Sequence, residues 1–317
     1  MGNAQVYHLM GNHKMFRVGL GTWQAENEEE LLNTLEAATT MGYRLIDTAA
    51  AYENEEVIGK FLAKEFARKT ITRGHYFITT KIWPTNLHPS RQEAALRESL
   101  RKLQLNQVDL CLAHMPTAHH PDGTHDPSVT VEDIWRGMED LVRKGLTKTI
   151  GVSNFSIEQM ARIKKIAKIP ISVAQVECHL YWPQDELVDW CMANKIVVTS
   201  YASLGSPSRH VPTLPNGQPM EWASCPNMLE EPAIIKIGER HGKTPAQVLL
   251  RWLYDREIGV IPKSTNPQRL EENLNGVVSF HLDDEDLRGI HSVTHRQRLF
   301  QQHHMIGHPE DGFKDER

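Results

Sequence analysis

Ionisable and polar residues stand at the C-terminal edges of a series of short apolar runs. They are Asp47, Lys81, His114, Ser153-Asn154, Gln175, Tyr201 and Lys263. Carboxylate, ammonium, imidazole and phenol groups are the side chains that hold charge or move protons in catalysis. Taken singly, each residue is as well explained as a cap or a turn former. Their recurrence at matching positions points to one shared pocket, provided that the runs are strands whose ends gather in one place.

The runs are Phe16–Gly21, Arg44–Ile46, Tyr76–Thr80, Val108–Ala113, Thr147–Val152, Ser172–Val176, Ile196–Ser200 and Ile258–Ile261. Continuous apolar character suits strands covered on both faces. Helical patterns separate them. Ser90, with Glu93 three residues on, reads as a capping box before Leu96, Leu100 and Leu103. Ile134, Met138, Leu141 and Val142 repeat the helical spacing until Gly145. Ser156 and Gln159 form another box before Met160, Ile163 and Ile166, and Thr244-Pro245 opens a helix carrying Val248, Leu249 and Trp252.

Eight strands alternating with helices predict a parallel (β/α)₈ TIM barrel. The chain of 317 residues reads as a single domain, 1–317, with an irregular segment at 295–317. Two long intervals, residues 115–129 and the proline-rich 202–231, follow strands. Both therefore fall on the face where barrel enzymes carry their sites. No GxGxxG follows a strand, so a nucleotide site would have to be built another way.

Composition narrows the partners. A net charge of −5 argues against nucleic acid or an acidic membrane surface. No apolar run approaches the roughly 20 residues that span a bilayer. The N-terminus lacks a basic stretch before an apolar one, and Val6 stands where a Met-Gly myristoylation signal wants Ser or Thr. Cys111, Cys178, Cys191 and Cys225 are scattered, with no CxxC, which suits reduced thiols and a cytoplasmic location. The 17 histidines include His119-His120 and His303-His304, but neighbours in sequence point apart and no HExxH occurs, so no metal is expected. Asn154-Phe155-Ser156 is read as an unused glycosylation sequon, and Cys178-His179 as core and rim rather than a nucleophilic pair.

Beyond these patterns the chain resembles the aldo-keto reductase family. The resemblance is carried by Gly42-Tyr43-Arg44-Leu45-Ile46-Asp47-Thr48-Ala49 with Tyr52, Asn54-Glu55 and Gly59, and by Leu112-Ala113-His114-Met115-Pro116. Gly151-Val152-Ser153-Asn154-Phe155, Gln175-Val176-Glu177 and Ile261-Pro262-Lys263-Ser264 continue it, in order, from about residue 14 to residue 290. The match is best to the aldose/aldehyde reductase branch. It implies NADPH-dependent reduction of aldehydes and ketones by a tetrad of Asp47, Tyr52, Lys81 and His114. In that tetrad Tyr52 donates the proton, Lys81 favours its phenolate, Asp47 holds Lys81, and His114 orients the carbonyl.

The same resemblance implies the cofactor contacts. Thr22, Trp23 and Asp47 lie at the nicotinamide end, where Ser153, Asn154 and Gln175 bind the carboxamide and Tyr201 stacks on the ring. Leu204 and Ser206 hold the pyrophosphate. Lys263, Ser264, Thr265 and Arg269 grip the 2′-phosphate, with Glu272 and Asn273 on the adenine. Trp23, Tyr52, Trp83, His114 and Met115 would contact the substrate, and indole walls predict a preference for aromatic over sugar aldehydes. Met115 stands where this branch usually has tryptophan, which predicts a looser pocket. The tail after His295 departs from the family. A ketosteroid or prostaglandin reductase, and an idle binding protein that kept the fold, are the alternative readings. A monomer is expected.

Overall fold

The computed structural model describes residues 6–207, 209 and 224–316. The Met1-Gly2 start and Pro212, Pro215, Gly217 and Pro219 of the second long interval lie outside them.

A hairpin of β1 (Val6–Leu9) and β2 (His13–Phe16) precedes the barrel. Eight parallel strands follow: β3 (Leu20–Gly21), β4 (Leu45–Asp47), β5 (Phe77–Ile82), β6 (Val108–Ala113), β7 (Thr147–Ser153), β8 (Val173–Glu177), β9 (Val197–Tyr201) and β10 (Ile258–Val260). They pair in chain order. A parallel bridge between Val18 and Val260 brings the two edges together, with Gly19 N–H donating to the Val260 carbonyl at 2.8 Å and Val260 N–H to that of Arg17 at 2.9 Å. The predicted (β/α)₈ barrel is the fold of the chain.

The helices between the strands include α1 (Glu28–Met41), α2 (Glu55–Ala67), α3 (Pro89–Leu103), α4 (Val131–Arg143), α5 (Ile157–Ile166) and α6 (Asp185–Ala193). After β9 come α7 (Pro232–His241) and α8 (Pro245–Asp255), and after β10 α9 (Pro267–Glu271) and α10 (Asp284–His291). The capping box of Ser156–Gln159 forms as read, and Thr244 caps α8 as read, with Gln247 completing a capping box there as well. The one assigned to Ser90 does not. Pro89, whose fixed φ suits a first turn, starts α3 two residues before the Arg91 that a Ser90 cap implies. His88 becomes the cap, accepting from Ser90 N–H at 3.2 Å.

Two separate cores reveal which way each strand residue faces. Ile46, Ile78, Cys111, Ile150, Ala174 and Val198 pack outward with helix residues such as Leu96, Trp135, Met138 and Met160. Leu45, Phe77, Leu110, Leu112 and Val173 form a second cluster with Leu9 and Met15 of the hairpin. The hairpin therefore plugs the N-terminal end of the barrel, a role that its short sequence did not announce.

Candidate active site

Side chains alternate along a strand. Counting forward from the inner cluster, Leu45 leads to Asp47, Phe77 to Thr79 and Lys81, Leu112 to His114, and Val173 to Gln175 and Glu177. Each of these polar residues is thus delivered to the barrel interior at its C-terminal end. Asp47, Ser153 and Tyr201 close their strands, and Lys81 and Gln175 lie one and two residues inside the ends of theirs, rather than beyond them.

Tyr52 comes from a different device. It ends a short 3-10 turn (Ala50–Tyr52) between β4 and α2, closed by Glu53 at φ 56°. Buried Asn54 fastens that turn by donating to the Thr22 carbonyl at 2.8 Å and accepting from Thr48 Oγ1 at 2.8 Å. Thr80, on the outward face of β5, donates to Glu55 Oε1 at 2.6 Å and anchors the start of α2. Asn54 and Thr48 belong to the quoted motif, yet nothing in their type marked them as the struts of the turn.

The four residues converge. Lys81 Nζ donates to Asp47 Oδ1 at 2.5 Å, to the Thr48 carbonyl at 3.0 Å and to Tyr52 Oη at 3.1 Å, and the Lys81 side chain has 0% exposure. Gln175 Nε2 donates to Asp47 Oδ2 at 2.7 Å, leaving its amide oxygen for other partners. The His114 ring lies 5.8 Å from the Tyr52 ring and 5.0 Å from that of Trp83, edge-on to both.

Charge follows burial. Burial pulls the Lys81 ammonium down, but Asp47 and Tyr52 together carry it above its ordinary value, so it stays cationic. Burial pushes the Tyr52 phenol up; Lys81 opposes the rise and Asp47 adds to it. Lys81 was expected to make Tyr52 a stronger acid, but within the protein alone burial outweighs that pull. His114 is held well below 6.5 by burial, by the Lys81 cation and by His304, which makes it a neutral imidazole. Its Nδ1 is buried without a hydrogen-bond partner among the described residues.

A cavity of about 1970 Å³ opens above this cluster. Thr22, Trp23, Asp47, Tyr52, Trp83, His114 and Met115 line one part of it. Ser153, Asn154, Gln175, Tyr201, Leu204 and Ser206 line the next, followed by Lys263, Ser264, Thr265, Arg269, Glu272 and Asn273. Of the sequence-derived site residues only Lys81 lies beneath the surface of the cavity rather than on it.

The floor of the cavity is cross-braced. Asn154, at φ 66°, accepts from Tyr201 Oη at 2.7 Å and donates to the His114 carbonyl at 3.0 Å and to Ser153 Oγ at 3.1 Å. Its amide therefore fixes Tyr201 against the end of β6, a positioning duty that was not foreseen. Being buried, Asn154 is no acceptor for glycosylation in the folded chain. At the far end Asn266 caps α9 through Arg269 N–H at 3.1 Å, while Lys263 and Arg269 are exposed.

The C-terminal segment supplies the remaining wall. Leu299, Phe300, Gln301, Gln302, His303 and His304 line the cavity. Phe300 sits edge-on to Trp23 at 5.6 Å and to Tyr201 at 5.7 Å, and the His304 ring lies 5.6 Å from Trp83. Met115 borders the cavity, but its buried side packs on Met305 and Phe313. The four cysteines are free, and Cys178, its thiol pushed up to about 12 by burial, donates to the Pro183 carbonyl at 3.3 Å. No group of three metal-ligating side chains is found among the described residues, nor any helix long and apolar enough to cross a membrane.

The donor set fits a dinucleotide phosphate. A half-buried aromatic face, amide and hydroxyl groups, a loop carrying Ser206 and then two exposed cations follow one another along a single cavity.

The sequence pattern of the Aldo/keto reductase family matches residues 17–295. The chain is 40% identical over 302 residues to aldo-keto reductase family 1 member A1-A of Danio rerio, covering 92% of this chain and 90% of that one. It is 37% identical over 304 residues to aldo-keto reductase family 1 member A1 of Homo sapiens, covering 92% and 89%. The aldose reductase structure from Schistosoma japonicum superposes with a TM-score of 0.87 at 33% identity, covering 98% of this chain and 99% of that one.

Proposed function

The chain belongs to the aldo/keto reductase family, and from that premise we propose that it reduces aldehydes and ketones to alcohols with NADPH, using Tyr52 as the proton donor. The observation that carries this reading is the chain Asp47–Lys81–Tyr52, linked at 2.5 and 3.1 Å in the floor of the cavity.

NADPH, when bound, supplies the hydride. The chain's own residues do the rest. Tyr52 gives its hydroxyl proton to the carbonyl oxygen as negative charge builds there. Lys81, still a cation in its buried setting, stabilises the phenolate that remains, and Asp47 keeps the ammonium in place. His114 is neutral and can donate a hydrogen bond to the same oxygen, which lowers the cost of the developing charge.

Ser153, Gln175 and Tyr201 would hold the nicotinamide, with Asn154 bracing Tyr201. Leu204 and Ser206 would flank the pyrophosphate, and Lys263, Ser264, Thr265 and Arg269 the 2′-phosphate, with Glu272 and Asn273 at the adenine. Two cations at one phosphate favour NADPH over NADH, because a charge-assisted contact is worth about 1.5–3 kcal/mol, roughly ten- to a hundredfold in affinity.

The substrate end is walled by Trp23, Trp83 and Phe300, which supports aromatic and medium-chain aldehydes over open-chain sugars. Such walls serve a ketosteroid or prostaglandin carbonyl as well, and a panel of carbonyl compounds separates these substrates. An idle binding protein would have no need for a buried Lys81 joined to both Asp47 and Tyr52. We place the enzyme in the cytoplasm, as one monomeric domain with no nucleic-acid or membrane partner. The test is NADPH oxidation followed by absorbance with an aromatic aldehyde. Turnover supports the reading, and cofactor binding without turnover supports the idle protein.

A further inference from the structure

Glu177 closes β8 two residues beyond Gln175, and no step of the proposed reaction uses it. Its carboxylate has 0% exposure and is saturated with donors. Oε1 accepts from Leu299 N–H at 2.5 Å and from His179 Nε2 at 2.9 Å. Oε2 accepts from Phe300 N–H at 3.0 Å and from Arg298 Nη1 at 3.4 Å.

Burial would raise such a carboxyl, but His179, Arg298 and the Leu299 N–H hold it below its ordinary value, so it stays ionised. Arg298 continues the network outward. Its Nε donates to Glu316 at 2.8 Å, and its guanidinium lies 3.8 Å from the Phe313 ring and 5.0 Å from that of Trp182.

Two of the four donors are the backbone amides of Leu299 and Phe300, whose side chains line the cavity. Phe300 in turn meets Trp23 and Tyr201. A loose tail has no reason to keep those rings in register, whereas a buried anion gripping adjacent N–H groups fixes both φ and ψ of the segment. We propose that Glu177 is a positioning residue which clamps the C-terminal segment, sets the Phe300 wall and thereby governs selection of bulky over small carbonyl substrates. This rests on the reductase reading above.

The test is Glu177→Gln, which keeps the shape but turns an amide NH₂ against one of the two backbone donors. The full chain is assayed with NADPH, propanal and a naphthaldehyde. The expected result is a KM for the naphthaldehyde raised about tenfold, the scale of one lost pocket contact. kcat and KM for propanal, and the dissociation constant for NADPH, stay within twofold.

Phe300→Ala should reproduce the bulky-substrate defect, and adding Glu177→Gln to it should change that KM little further, because the two act through one contact. A purely structural role would lower melting temperature and move both aldehydes alike. Equal losses on both substrates, or additive losses in the double variant, overturn the proposal.

Limited proteolysis reads the clamp without turnover. Glu177→Gln should be cleaved within residues 295–316 under conditions that leave the wild type intact, and an equally resistant tail contradicts the clamp. If Glu177→Gln does not fold, Glu316→Gln frees Arg298 from outside and should give a smaller rise of the same selectivity. An unselective change there also overturns it. Failure of the reductase reading would look different: wild-type chain inactive on both aldehydes while the proteolysis contrast persists.

Discussion

At the scale of single residues, burial and charge compete around Tyr52. Its proton is held more tightly than in free tyrosine because desolvation outweighs Lys81. Removing the hydroxyl with Tyr52→Phe should leave the fold and NADPH binding intact and lower kcat by about 10²–10⁴-fold, the usual share of general acid catalysis. Steady-state kinetics with an aromatic aldehyde check this, and a rate near wild type would exclude Tyr52 as the donor. Lys81→Met should be similarly inactive, and it should also lose melting temperature, since the buried Asp47 carboxylate then keeps Gln175 as its one hydrogen-bond donor among the described residues. At the 2′-phosphate end, Arg269→Ala should weaken NADPH about ten- to a hundredfold and leave NADH nearly unchanged, as read by tryptophan fluorescence titration. An equal effect on both cofactors would remove Arg269 from that role. Asp47, Lys81 and His114 were legible because they stand at or next to the ends of apolar strands, whereas Tyr52, on a turn, was reached only through the family resemblance. Glu177 stood in a quoted motif without a role, because its partners Leu299 and Phe300 lie more than a hundred positions away and nothing local marks that pairing.

Among the elements, seven of the eight barrel strands were readable to within a residue or two because buried parallel strands are runs of β-branched and apolar residues; the run Phe16–Gly21 instead divides, Phe16 ending the hairpin strand β2 and only Leu20–Gly21 forming β3. Boundaries slipped where the last strand residues are polar, as at Asp47 and Tyr201, since hydropathy ends a strand before its hydrogen bonds do. The α2–α3 crossing was not readable at all. A Cβ on Gly59 would lie 2.1 Å from the Lys102 carbonyl oxygen, so Gly59→Ala should cost on the order of 1–3 kcal/mol by overpacking and lower the melting temperature by several degrees. The loop at 115–129 and the tail meet through four histidine rings. His119 lies 5.0 Å from His125, 6.0 Å from His304 and 6.2 Å from His308, and His125 Nε2 is 2.9 Å from the His304 carbonyl oxygen. Burial, with His125 and His308, pulls His119 down to about 4. The unfolded chain takes up that proton near the ordinary value of 6.5, whereas the folded chain refuses it until about 4. Stability should therefore fall as pH drops through that window, and His119→Asn should flatten the dependence of melting temperature on pH. An unchanged slope would show that the stack does not titrate as described.

For the whole molecule, the barrel divides its labour between two ends. The hairpin plug and the inner cluster of Leu45, Phe77, Leu110 and Val173 close the N-terminal end, so the interior is a core and not a pore. The opposite end carries one long cavity, from the Trp23, Trp83 and Phe300 walls to the exposed Lys263 and Arg269. Strand alternation dictates that polar residues placed two positions beyond the inner apolar ones arrive there together, which is why a one-dimensional pattern could forecast a shared pocket. It could not forecast the wall made by the tail, whose contacts depend on the buried carboxylate of Glu177. The central claim is that this cavity binds NADPH and that Tyr52 delivers the proton. The most direct measurement is a paired assay of wild type and Tyr52→Phe, with NADPH binding and NADPH oxidation by an aromatic aldehyde recorded on the same samples. The expected result is equal NADPH affinity in the two proteins, with turnover in the wild type that falls by at least about a hundredfold in the variant. Turnover that survives the substitution, or a wild type that binds NADPH and never oxidises it, would contradict the claim.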